Sequence, residues 1–277
     1  MKGMVLLIRD VALGQFFPGE STLHKMDPRV KIALAMVQVT LVFLADNFFS
    51  LTAVALQVLL IITASKISLK TYFKSIKMVL FLITFTAILN LFYSAGDPIF
   101  SFWILKITRE GINNSIFVAV RVVSLILASS ALTFTTSPTD ITDALERLMK
   151  PLAFFKVRVH EIAMMMTIAL RFIPTLLEET DKIMNAQKAR GADFENGGLI
   201  NKIRSMLPIL VPLFVSSFRR AYELALAMEC RCYQGGNGRT KMKTLHITSR
   251  DIAGIGFVGV FLTLLIAFNV FFPNTPR

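Results

Sequence analysis

The sequence predicts an all-α membrane protein with about five transmembrane helices and three amphipathic helices outside them. The chain of 277 residues is 54% apolar and has a mean hydropathy of +0.62, well above that of an ordinary soluble domain. Several uncharged stretches approach the roughly 20 residues that a helix needs to cross about 30 Å of hydrocarbon. We therefore predict three parts: transmembrane helices in residues 1–136, a cytoplasmic or interfacial helical segment in 137–249, and a last transmembrane helix in 250–277.

Five membrane spans are predicted, near residues 29–45, 47–65, 77–95, 112–136 and 250–273. Four of them overlap an uncharged run of at least 18 residues, which is long enough to cross a bilayer. The first span has only the 14 uncharged residues 32–45. It reaches the required length if Arg29 and Lys31 extend their charged ends to the lipid headgroups.

The distribution of charge predicts the orientation of these spans. Lys66, Lys70, Lys74 and Lys77 occupy the second loop without an acidic residue, and residues 137–250 hold 17 basic and 11 acidic side chains. Basic loops stay in the cytoplasm, so the N-terminus and the middle segment are predicted to be cytoplasmic. The net charge of +12 is then a signal of topology. We expect no nucleic-acid partner, because no basic module interleaved with aromatic residues is present.

The segment 137–249 is predicted to form three helices. The first starts at Ser137-Pro138-Thr139-Asp140 and stops before Pro151, the second covers about 159–189, and the third covers about 200–232. The second helix has a stripe of polar residues that step by four and three positions: Arg171, Thr175, Glu178, Lys182 and Asn185. These helices are amphipathic and carry too many charges for a comfortable span, so we expect them along or just beneath the cytoplasmic face.

Both long middle helices are predicted to end on an arginine. The second ends in Ala189-Arg190-Gly191, where Gly191 is a natural C-cap, and the third ends in Glu229-Cys230-Arg231-Cys232. Two matching cationic helix ends on a membrane protein indicate a docking device for a partner outside the membrane. The alternative is a cytoplasmic helical domain with no partner.

Three further features of the sequence bear on function. Cys230 and Cys232 are interpreted as small residues beside Arg231, since i and i+2 positions point to different helix faces and no histidine is near to complete a metal site. Ala221 and Ala225 form a pair of small residues at which another helix can approach closely. Arg121 lies inside the fourth span, where structural and functional roles stay equally open.

Two other classes of protein fit the residues less well. A membrane-embedded enzyme such as a lipid transferase needs clustered carboxylates, histidines or cysteines, and the three histidines are scattered at 24, 160 and 246. A channel or self-contained carrier needs polar residues repeated across its spans or inverted-repeat symmetry. We predict no catalytic residue, no metal site and no cofactor.

The motifs resemble those of one family. The segments that carry the resemblance are Met26-Asp27-Pro28-Arg29-Val30-Lys31, Leu170-Arg171-Phe172-Ile173-Pro174, residues 186–191, and residues 212–229 leading to Arg231. Together they resemble the transmembrane T components of energy-coupling factor transporters. One departure is clear: the second arginine motif of that family usually reads Ala-Arg-Gly, and here it reads Cys230-Arg231-Cys232.

The resemblance implies a non-catalytic subunit of the cell membrane that uses no cofactor of its own. It implies two cytoplasmic ABC ATPases as partners, together with a separate membrane subunit that binds a vitamin or a metal ion. The residues expected to dock the ATPases are Ala189, Arg190, Gly191, Glu229, Cys230, Arg231 and Cys232. Ala221 and Ala225 are the expected crossing point of the two long coupling helices.

Overall fold

The computed structural model describes residues 16–93, 98–102, 105–192, 199–236 and 245–272. In these ranges the elements are α1 (Pro28–Leu44), α2 (Phe48–Ser65), α3 (Leu69–Tyr93), β1 (Pro98–Phe102), β2 (Leu105–Thr108), α4 (Arg109–Thr135), α5 (Pro138–Leu148), a 3₁₀ turn (Lys150–Phe155), α6 (Val159–Ala189), α7 (Leu199–Cys230) and α8 (Ser249–Phe271). The all-α membrane fold is confirmed. A short antiparallel pair of strands, with Pro98 opposite Thr108 and Phe102 opposite Leu105, precedes α4.

Five of the described helices are long and apolar enough to cross a membrane, namely Phe48–Ser65, Leu69–Phe92, Arg109–Thr135, Val159–Ala189 and Ser249–Phe271. This set differs from the predicted one at two places. Helix α1 begins at Pro28 after its N-cap Asp27, ends at Leu44 and has only 17 residues, so it falls outside the set. Helix α6 falls inside it, because Arg171 is the only charged residue between Glu161 and Glu178. The predicted span ends at 94–95 and 273 lie outside the described residues.

The chain divides into two compact units. One comprises residues 138–243 and is called the helical unit below. The other comprises residues 16–137 and 244–277 and is called the span unit.

In the span unit, four helices surround a common axis. Helix α1 contacts α4 and α8, helix α2 contacts the same two helices, and α3 packs on the outer side against α4. At one end of this ring the interior is filled by buried apolar side chains: Leu41, Val42, Ala45, Leu51, Val54, Phe117, Val258 and Leu265. Asn47 and Asn269 close this end by donating to the carbonyls of Phe272 (2.6 Å) and Leu44 (2.8 Å).

Arg121 belongs to the structure of this packed end. Its guanidinium donates to the carbonyl of Ala45 at 2.5 Å and lies over the Phe117 ring, 4.7 Å from the centroid. Ala45 is the residue at which α1 ends. The contact therefore joins α4 to the end of α1, which favours the structural interpretation of this charge in a span.

A buried network of polar groups ties α1 to α8 at the opposite end of the span unit. The carboxylate of Asp251 is fully buried. It accepts the backbone N–H of Asp27 at 2.8 Å and that of Thr248 at 2.7 Å. The Asp27 carboxylate in turn accepts three hydrogen bonds from the guanidinium of Arg29, the shortest at 2.6 Å. Because charge-assisted bonds with defined geometry are strong, the opening motif of α1 fixes where α8 begins.

Lys31 ties the same end of α1 to α4. It is buried, and its ammonium donates to the Thr135 carbonyl at 3.0 Å and to the Thr136 hydroxyl at 3.3 Å. From the sequence, Arg29 and Lys31 were expected to extend their charged ends to the lipid headgroups. The structure uses both to join helices.

Candidate functional site

The first predicted docking end has a well-defined cap. Helix α6 ends at Ala189, and Arg190 is its C-cap residue. Gly191 follows with φ of +87°, a conformation that costs glycine little. The N–H of Gly191 donates to the Lys188 carbonyl, and that of Ala192 donates to the Gln187 carbonyl, both at 3.0 Å. These two bonds define a Schellman motif.

The second predicted docking end repeats this cap. The N–H of Cys232 donates to the Glu229 carbonyl at 2.8 Å, and that of Tyr233 donates to the Met228 carbonyl at 3.0 Å. Cys232 takes a positive φ of +55°, so it occupies the position of Gly191. The replacement of glycine by cysteine thus leaves the cap geometry intact, and Arg231 occupies the C-cap position that Arg190 occupies in α6.

Both arginines are open to a partner. Arg190 and Arg231 are exposed, and neither guanidinium has a hydrogen bond or an ion pair with the described residues. Each lies where the helix dipole concentrates negative charge, which stabilises a cation. The flanking Ala189, Glu229, Cys230 and Cys232 are exposed as well, and both cysteines are free thiols.

The two arginine ends lie at opposite ends of an antiparallel pair of helices. The amide of Gln187 meets the carbonyl of Pro208 at 3.5 Å. Two turns earlier in α6, Glu179 accepts a bond from the Ser216 hydroxyl and another from Arg220 at 2.8 Å. Earlier positions in α6 therefore contact later positions in α7, which makes the two helices antiparallel. Since α6 has 31 residues, the pair extends over about 45 Å.

The far end of this pair is held by a contact that the sequence did not predict. A Cβ added to Gly236, just after the second cap, would lie 2.4 Å from Cδ2 of His160. The Nδ1 atom of His160 lies 3.0 Å from Oε1 of Glu146 on α5. In the sequence, His160 is only one of three scattered histidines. The close contact needs a residue without a side chain 76 positions later, and no local pattern indicates it.

Ala221 and Ala225 do not lie at the described contact between α6 and α7. Both are exposed, whereas the contact uses Ser216 and Arg220 on the adjacent face of α7. A shift of one residue turns the helix by about 100°, so the small pair lies off the contact face. A crossing at Ala221 and Ala225 stays a prediction.

Comparison with known proteins gives a consistent result. A family model described as "Cobalt transport protein" matches residues 19–242. A protein of Ruminiclostridium cellulolyticum named "Energy-coupling factor transporter transmembrane protein EcfT" is 48% identical over 266 residues, which cover 96% of this chain and 100% of that protein. Proteins of the same name from Clostridium kluyveri and Thermosediminibacter oceani are 49% and 46% identical, over 88% and 91% of this chain and 92% and 96% of theirs.

Proposed function

Since this chain belongs to the family of energy-coupling factor transporter transmembrane proteins, we propose that it links two cytoplasmic ABC ATPases to a separate substrate-binding membrane subunit. The family gives the general role, which is transport across a membrane through a transmembrane energy-coupling subunit. The proposal adds the partners and the sites at which this chain holds them. The imported substrate is a vitamin or a metal ion bound by the other membrane subunit.

One observation carries the proposal: the two arginines lie in equivalent caps, both exposed and both without a partner in the described chain. Two equal docking ends fit a partner that acts as a pair. An arginine at a rigid cap presents its fork of N–H donors in a fixed place, which suits carboxylate or carbonyl acceptors on an ATPase. Ala189, Gly191, Glu229, Cys230 and Cys232 shape the two ends around these arginines.

The face of α7 that carries the small pair supports a second contact. Phe214, Phe218 and Tyr222 are exposed, as are Ala221 and Ala225. An apolar face that includes small residues allows another helix to lie close. We propose that a helix crosses α7 at Ala221 and Ala225 in the assembled transporter, and that motion of the two ATPases reaches the substrate-binding subunit through this contact. The basic second loop supports a cytoplasmic N-terminus and cytoplasmic residues 137–249, although α6 within them is long and apolar enough to cross a membrane.

The experiment is a co-purification from cells that express this chain together with its two candidate ATPases and a candidate substrate-binding subunit. We expect all four proteins to elute together and to take up substrate only when ATP is present. A matched preparation without this chain should leave the ATPases in the soluble fraction and abolish uptake. ATPases that bind the substrate-binding subunit equally well without this chain would contradict the proposal.

The same preparation tests the alternative of a membrane-embedded enzyme such as a lipid transferase. That alternative predicts a chain that purifies alone and modifies lipids. The names of the relatives favour the transporter.

A further inference from the structure

The span unit contains a cavity at the end opposite its packed core. Its volume is about 480 Å³, within the range of about 300–1,000 Å³ that is typical of ligand sites. Four helices line it: α1, α2, α4 and α8. The cavity therefore lies between these four helices, at the end of the ring that side chains do not fill.

The cavity is built by stripes of residues on the lining helices. On α1 the stripe is Lys31, Leu34, Ala35 and Gln38, and on α8 it starts with Arg250 and continues through Ala253. These spacings of three and four place the members of each stripe on one helix face. The small residues leave the space open, and the two cations lie at the ends of their stripes near the start of each helix. Apart from Thr22, Thr135 and Gln38 the rest of the lining is apolar, so the cavity has a basic end and a mostly apolar interior.

Gln38 gives the cavity a polar group that lacks a partner. Its side chain is 3% exposed, and neither its amide nitrogen nor its amide oxygen has a hydrogen bond with the described residues. A buried amide without partners costs free energy, so such groups nearly always have a partner. Gln38 lies seven residues beyond Lys31, which is about 10 Å deeper along α1. A ligand in the cavity can supply the missing hydrogen bond.

Arg250 adds a cation that also lacks a partner. It is exposed, and among the described residues it forms no ion pair. It lies in the first turn of α8, where the helix dipole disfavours a positive charge. An anionic group at this place is therefore favoured by Arg250 and by the nearby charge of Lys31.

From this arrangement we propose that the cavity binds one anionic phospholipid of the surrounding bilayer. The phosphate lies at the basic end near Arg250 and Lys31, an acyl chain fills the apolar interior, and the amide of Gln38 donates to an ester carbonyl. The lipid fills the space between the four helices that side chains leave open.

The test uses the full chain in nanodiscs of equal parts phosphatidylglycerol and phosphatidylcholine, followed by release into detergent and native mass spectrometry. We expect one retained phospholipid, mainly phosphatidylglycerol. Ala253→Phe fills the cavity and should abolish retention. The control Gly256→Phe adds the same ring to α8 where a Cβ meets no atom within 4 Å, and it should retain lipid as the wild type does.

Two milder variants separate the headgroup from the chain. Arg250→Gln should lower the preference for phosphatidylglycerol about fivefold and leave total retention nearly unchanged. Gln38→Leu should weaken retention. Its control is Gln57→Leu, which removes an equally buried amide that also lacks partners in the described chain and does not line the cavity, and which should leave retention unchanged. Absence of lipid from the wild type, equal retention by the two phenylalanine variants, or an unchanged lipid preference in Arg250→Gln overturns the proposal.

Discussion

The span unit and the helical unit differ in where they place their charged side chains, whereas both expose large apolar side chains. In the span unit, Asp27, Lys31 and Asp251 are buried and bonded between helices. In the helical unit, the long helix α7 exposes most of its large apolar residues: Met206, Leu207, Leu210, Val211, Phe214, Val215, Phe218, Tyr222 and Leu226. Its two cationic ends are exposed too.

This difference shows two uses of the same residue types. In the span unit, charges fix the helices relative to one another, so they should matter for stability. In the helical unit, the two cationic helix ends are left for partners, so they should matter for assembly and transport. The predictions below separate these two effects, in order of their expected effect on the stability of the chain.

Loss of the Asp251 carboxylate should have the largest effect on stability. Asp251→Ala leaves the buried backbone N–H of Asp27 and the partly buried one of Thr248 without their acceptor. We expect the free energy of unfolding of the span unit to fall by about 2–4 kcal/mol. Thermal unfolding in detergent measures the loss, and hydrogen exchange assigns it to α1 and α8.

The control is Glu20→Ala, which removes an exposed ion pair with Lys25 at 3.3 Å in the same unit. Exposed pairs contribute little, so this variant should unfold as the wild type does. Equal destabilisation by both variants would show that the buried network has no special role.

A change at the first cap should have an intermediate and local effect. Gly191→Val meets no atom within 4 Å of its Cβ, so any cost comes from the φ of +87°. That cost is about 1–2 kcal/mol, and it should increase hydrogen exchange at the amides of Gly191 and Ala192. Docking of the ATPases should weaken because Arg190 is no longer held in place.

Cys232→Gly is the mirror of this change at the second cap. It relieves the positive φ of a cysteine and should stabilise that helix end by about 1 kcal/mol, with uptake retained. Loss of uptake in Cys232→Gly would mean that the thiol, and not the cap geometry, is what the site requires.

Ala225→Leu should have almost no effect on stability, within about 0.5 kcal/mol, because the side chain is exposed. It should nevertheless lower uptake more than ATPase co-purification, since the added bulk keeps another helix from close approach. Ala227→Leu, also exposed but on the side of α7 that carries Ser216 and Arg220, is the comparison and should lower uptake less. Equal losses of uptake and of co-purification in Ala225→Leu would remove this site from the coupling path.

Local patterns in the sequence were sufficient to predict much of this molecule. Uncharged runs indicated α2, α3, α4 and α8, and the end of each long middle helix was found from a single arginine and its neighbours. These features depend on residues a few positions apart, which the periodicity of a helix relates directly.

The rest depends on residues far apart in the chain. The bond between Asp27 and Asp251 joins positions 224 residues apart, and no pattern near either residue indicates it. The positive φ of Cys232 could not be predicted because cysteine rarely adopts it. The total number of charges in α6 predicted an amphipathic helix outside the membrane. These charges cluster toward its second half and leave an apolar first half, so the helix is long and apolar enough to cross a membrane. The spacing of Ala221 and Ala225 predicted where along α7 another helix can approach. It did not predict which face of α7 contacts α6.

The most direct test of the docking account is the double variant Arg190→Glu, Arg231→Glu. Removal of a partner from a docked charge costs about 2–5 kcal/mol, so affinity for the ATPases should fall at least tenfold. The measurement is ATPase co-purification with the membrane-inserted chain, with thermal unfolding of the same sample as a control on folding. The account predicts normal insertion, normal unfolding, lost ATPases and no ATP-driven uptake. A double variant that assembles and transports as the wild type does would contradict it.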